Sequence, residues 1–117
     1  MKYITTICLL ATVFILAAFA PFHHGWANYN QDKTLDYKGT VQELVYENPH
    51  AIAKVKEKDK VWTVILAPLS RLETRGLNAD MVKKGNTIRV VGYPHKEIKD
   101  EMRAERIFVD GKKFELR

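Results

Sequence analysis

Cysteine is nearly missing from this chain. Among 117 residues only Cys8 is one, and it lies in an apolar run near the N-terminus. The rest of the chain therefore holds no disulfide, no cysteine-bound zinc or iron–sulfur centre and no thiol nucleophile. Glycine is sparse, with six residues, and none of them builds a phosphate-cradling loop. There is no serine elbow, no His-Glu-x-x-His and no convincing pair of acids. Glu43 and Glu47 read as solvated carboxylates, so no enzyme is expected. Blocks of like charge are missing too. The formal net charge is +5 with acids and bases interspersed, which describes an ordinary solvated surface and argues against a nucleic-acid partner.

No charged side chain stands between Lys2 and Asp32. From Ile4 to Phe22 the chain is apolar or small, with Thr5, Thr6 and Thr12 as its mildly polar members. A basic start, an apolar run and the end Ala18-Phe19-Ala20 read as a secretory signal peptide. Pro21 would follow the cut and is a poor substrate for signal peptidase. Cleavage after Ala27, or retention of residues 4–20 as a membrane anchor, are the alternatives. The run has the length of a marginal span, for which about 17–25 residues are needed. The expected division is a signal or anchor at 1–20, a lead-in at 21–33 and one domain at 34–117. The expected location is periplasmic or secreted, with inner-membrane attachment if the signal is retained.

From Thr34 the pattern changes. Leu35, Tyr37, Gly39 and Val41 alternate with polar residues, which predicts a strand with one wet face. The phase slips before Leu44 and Tyr46, which predicts a β-bulge near Gln42 or Glu43. Asn48-Pro49 ends the strand. A second strand is expected over 50–56, a charged tip at 58–60 and a central strand over 61–66. Ser70 to Arg75 favours helix, with Gly76 after it, and Asn78 caps a second short turn. Thr87 to Tyr93 is strand, Pro94 to Arg103 a polar loop, and Glu105 to Val109 strand. Asp110-Gly111 then turns the chain into a short edge. The order β-β-β-α-β-β predicts an all-β domain with one or two short helices: a five-stranded, partly open OB-like barrel. A small open sandwich is the structural alternative.

Several short motifs occur in a telling order: His23-His24, Lys38-Gly39-Thr40-Val41, Asn48-Pro49-His50, Leu72 and Gly76 before Lys84-Gly85, Val91-Gly92-Tyr93-Pro94, and Asp110-Gly111-Lys112. The set resembles the exported family DUF6152 over residues 23–117. The resemblance implies an extracytoplasmic OB-like domain and no settled activity, substrate or partner. His95 matches no family motif.

The histidines are the candidate ligand set: His23, His24, His50 and His95. Imidazole suits copper, zinc and nickel. In an OB barrel His50 and His95 fall on two loops that flank the ligand face, and the lead-in adds His23 or His24. Three imidazoles at one place would make a copper or zinc site. If the signal were cut after Ala20, the terminus Pro21-Phe22-His23 would wrap Cu(II) in a square plane. The plainer alternative makes His50 a structural histidine in its turn and His95 an exposed one. Tyr37, Tyr46, Trp62 and Tyr93 are candidates for a platform on which single strands stack, but core or rim packing explains them more simply. The expected function is a non-enzymatic binding module, with copper or another divalent metal as its sharpest version. The alternative is a structural or adaptor protein of the cell envelope that holds a protein or glycan partner without metal.

Overall fold

The computed structural model describes residues 25–117. The expected signal or anchor, His23 and His24 lie outside the described residues. Strand β1 (Leu35–Val45) alternates as its sequence demands, with Tyr37, Gly39 and Val41 buried and Asp36 and Lys38 exposed. Its first half pairs antiparallel with β4 (Thr87–Pro94), and its second half with β2 (Ile52–Glu57). The handover falls at a bulge: Val41 faces Val55 while Glu43 faces Lys54, so Gln42 is the extra residue. The bulge bends one strand so that it serves both halves of the barrel.

Strand β3 (Lys60–Ile65) returns along β2 through a two-residue tip in which Lys58 takes a positive φ of 54°. Helix α1 (Leu69–Arg75) follows and buries Leu72. It stops at Gly76, whose φ of 82° needs no Cβ and whose N–H reaches the Glu73 and Leu72 carbonyls. Asn78 caps the short 3-10 turn Ala79–Val82 by accepting from the Met81 N–H. Strand β5 (Glu101–Val109) then pairs with β4 and, through a hairpin, with the edge strand β6 (Lys112–Glu115).

Closure comes from an additional pairing. The start of β5 runs parallel to β3, matching Thr63 with Glu101, Val64 with Met102 and Ile65 with Arg103. The five strands β1-β2-β3-β5-β4 form a closed barrel, with β6 appended to β5. The fold is thus the expected all-β, OB-like barrel with a helix between its third and fourth strands. The boundaries of β2 and β3 shift by one or two residues, and that of β5 by more. Residues 101–103, expected in the polar loop, are the closing strand. Met102 and Ala104 are fully buried, whereas Arg103 points to the outer side. The inward positions are only every second residue, so the segment looks polar in sequence.

The interior is small and aliphatic. Ala51, Ala53, Val55, Val64, Leu66, Val90, Met102 and Ile107 are fully buried. Each large side chain of this kind contributes about 1.5–3 kcal/mol relative to exposure. Tyr37 and Trp62 belong to the same core, their rings stacked at 6.1 Å and 24°. At the closure β4 passes very close to β5, where a Cβ on Gly92 would overlap the Arg103 carbonyl oxygen and crowd the Ala104 Cα. Both are backbone atoms and cannot swing aside. Gly92→Ala is therefore expected to cost about 3 kcal/mol, read as a lowered urea midpoint. An unchanged midpoint would refute so tight a closure.

Candidate functional site: a buried arginine beneath the lead-in

The lead-in is fastened to the barrel. Gly25–Asn28 form one 3-10 turn, and Tyr29 makes an isolated antiparallel bridge with His95. The Asn30 N–H donates to the Pro94 carbonyl at 2.8 Å, and the Lys96 N–H to the Asn28 carbonyl at 2.9 Å. Tyr29 is buried, and its hydroxyl donates to Glu101 Oε2 at 2.7 Å. Burial, followed by Glu101, pushes its phenol well above the ordinary range.

His95 organises the β4–β5 loop. Its Nδ1 accepts from the backbone N–H groups of Glu97 (3.0 Å) and Ile98 (2.9 Å). The ring meets Tyr29 edge-on at 5.0 Å, and Nε2 faces Glu101 Oε2 at 3.9 Å. With Nδ1 occupied, Nε2 is the nitrogen left for any other partner. His50 lies on the other loop, directly before the fully buried Ala51. Burial lowers its pKa below the usual histidine value, and the charges of Arg103 and Arg71 lower it further. The neutral imidazole is the favoured form there.

Arg103 is the one buried charged residue among those described, with 6% of its surface exposed. Its guanidinium lies over the Trp26 ring at 4.5 Å, and Arg117 lies over the same ring at 4.3 Å. The backbone of Gly25 approaches so closely that a Cβ would overlap Nη1. The buried Nε has no hydrogen-bond partner. None of the ion pairs among the described residues includes Arg103. Burial lowers its pKa, Tyr29 opposes this, and the charges of Arg71 and Arg117 add to it. The nearby acids are engaged elsewhere: Glu101 with Tyr29, and Glu105 with Tyr93, Arg106 and Arg117.

Among the described residues, no group of three or more His, Cys, Asp or Glu side chains could hold a metal ion. The positive charges of Arg103 and Arg71 that act on His50 oppose a dication there. The aromatic candidates also resolve. Tyr37 is buried and its hydroxyl donates to Met102 Sδ at 3.0 Å. Trp62 is 7% exposed, Tyr46 donates to the Leu77 carbonyl and Tyr93 to Glu105. They are core and rim residues. Sequence reasoning missed Arg103 and Trp26. The lone signal was the run of aromatics Phe22, Trp26 and Tyr29 in the lead-in, with no hint of the arginine partners of Trp26.

A closed OB-type barrel with a cationic locus at one end is the class of protein that fold and site define. The chain belongs to DUF6152, a family of unknown function that matches it over residues 11–103. No curated protein matches the chain.

The lowered pKa of His50 has a pH signature. Unfolded, His50 takes up a proton near its ordinary value of 6.5, whereas folded it does so at lower pH. Between those values the unfolded state binds more protons, so stability falls as pH falls through this window. His50→Gln is expected to lose less stability than the wild type between about pH 7 and about pH 5, measured by urea unfolding. Parallel curves would mean that His50 is not held neutral by its surroundings.

Proposed function

We propose that the protein is a non-enzymatic, extracytoplasmic binding module that receives its partner on the outer barrel face between the β1–β2 and β4–β5 loops. The observation that carries this reading is a row of outward side chains. Val45 is paired with Ile52, Ile52 with Ile65, and Ile65 with Arg103, across four neighbouring strands. Val45, Val61 and Ile98, the exposed large hydrophobic residues among those described, lie on β1, β3 and the β4–β5 loop. Val45, Ile52 and Ile65 form an apolar row at one end of this face, with Lys54 and Lys56 exposed between it and Val61, and an apolar row rimmed by polar residues is characteristic of an interaction surface. The uncharged run before Asp32 and the Ala18-Phe19-Ala20 end support export.

Within this reading an envelope adaptor fits better than a copper carrier. A neutral His50 could ligate copper, with His23, His24 or His95 completing the set. Arg71 and Arg103 oppose a dication at that place. A Cu(II) titration of the full chain, followed by electron paramagnetic resonance, is therefore expected to give spectra that His50→Ala leaves unchanged. Nitrogen coupling lost in that variant would restore the metal version.

The face itself is tested with photo-crosslinking residues placed in the full chain in intact cells. Positions Val45 and Ile65 are expected to yield discrete adducts, and Lys38 and Thr87, on the other half of the barrel, none. Equal yields from both faces, or none from either, would end the proposal.

A further inference from the structure

We propose that Arg103 is the receptor for an oxyanion, a carboxylate or a phosphate group, approached past His50 and Arg71. The inference deepens the binding-face reading and rests on it for the direction of approach, since Arg103 ends the row that begins at Val45.

Arg103 carries a charge that no described residue compensates. A guanidinium taken out of water is costly unless an anion and hydrogen bonds replace its hydration. Arg103 has a buried Nε without a partner and forms no ion pair with a described residue. The segment ahead of the described residues cannot supply the missing charge, because no Asp or Glu precedes Asp32. The Trp26 ring offsets part of the cost, as cation–π contacts contribute about 0.5–2 kcal/mol, but it does not satisfy an N–H. Neighbouring groups make the potential more positive. Arg71 and Arg117 both depress the pKa of Arg103, and Arg103 and Arg71 both depress that of His50.

The geometry of the fork then selects the ligand. A guanidinium presents a planar set of N–H donors that matches two oxygens of a carboxylate or phosphate. Glu101 and Glu105 are held away by Tyr29 and Tyr93. Both acids that could have closed the site internally are thus tied to phenols. A neutral His50 can donate one N–H to the same oxyanion without burying a further charge. Arg71 is anchored by its Nη1, which donates to the Leu116 carbonyl at 3.1 Å, and this holds its charge at the site. The competing explanation is that Arg103 merely packs beneath Trp26 to fasten the lead-in. That role requires no anion.

The test is thermal unfolding of the full chain in maltoside micelles, with chloride replaced by inorganic phosphate or by acetate at fixed ionic strength. At an anion concentration about tenfold above half-effect, the midpoint is expected to rise by about 5 °C or more. Phosphate alone doing so identifies a phosphoryl ligand, acetate alone a carboxylate, and both the shared oxyanion chemistry. Arg103→Gln is expected to abolish the rise while staying at least as stable as the wild type in chloride, because an unpaired buried charge has gone. Should Arg103→Gln fail to fold, Arg71→Gln keeps the receptor and is expected to weaken the anion effect about fivefold. No rise in either anion, or an equal rise in the variants, overturns the proposal. Cross-links at Val45 and Ile65 without any anion effect would leave the face and remove the receptor. An anion effect without cross-links would do the reverse.

Discussion

The parallel pairing of β5 with β3 is the contact on which the rest of this structure depends. It involves only Glu101, Met102 and Arg103 against Thr63, Val64 and Ile65. Without it the sheet would run open from β3 to β6, with the backbone of β3 presented as an unpaired edge. With it, Met102 and Ala104 turn inward to fill the barrel. The same three residues fix the outside: once Met102 faces in, Arg103 must face out beside Ile65. A fold requirement therefore decides where the charge goes. The backbone of β4 has to pass close enough that Gly92 can carry no side chain.

Outward does not mean solvated here. The lead-in returns over the closing strand, pinned by the two backbone hydrogen bonds of the Tyr29–His95 bridge. That brings Trp26 against two guanidinium groups and puts Arg103 out of water. Native domains seldom bury a charge without a partner, because desolvation outweighs any gain from a neutral neighbour. Elsewhere on this molecule Arg89 and Arg106 show the usual pairing. Arg89 holds Asp36 through two hydrogen bonds, at 2.8 and 2.7 Å, and Arg106 holds Glu115 at 3.0 Å. Arg103 is the departure, and it lies beside Ile65, at the end of β3 that neighbours the β1–β2 loop.

The histidines show how tertiary context redirects a residue that the sequence marks as chemical. His95 spends one nitrogen on the backbone of its own loop and sets its ring against Tyr29. His50 sits on the opposite loop, as an OB arrangement implies, but its neighbours are cations. A reading based on imidazole alone pointed to metals. Arg103 and Arg71 add positive charge near His50, which opposes a dication there.

Local physics made much of the fold legible in advance. The alternation in β1, the phase slip that becomes the Gln42 bulge, the glycine that ends α1 and the Asp110-Gly111 hairpin all arise from neighbours in sequence. Their order then narrows the architecture to a small barrel with one helix or a small open sandwich. By itself the sequence determined strand positions, turn chemistry, the lack of thiol chemistry and the uncharged N-terminal run. Only the tertiary structure decided that the barrel closes, that residues 101–103 are strand, and that Trp26, His50, Arg71 and Arg103 gather at one place. These contacts join segments far apart in the chain. Periodicity reports which side of a strand a residue faces, but not what another segment will lay over it.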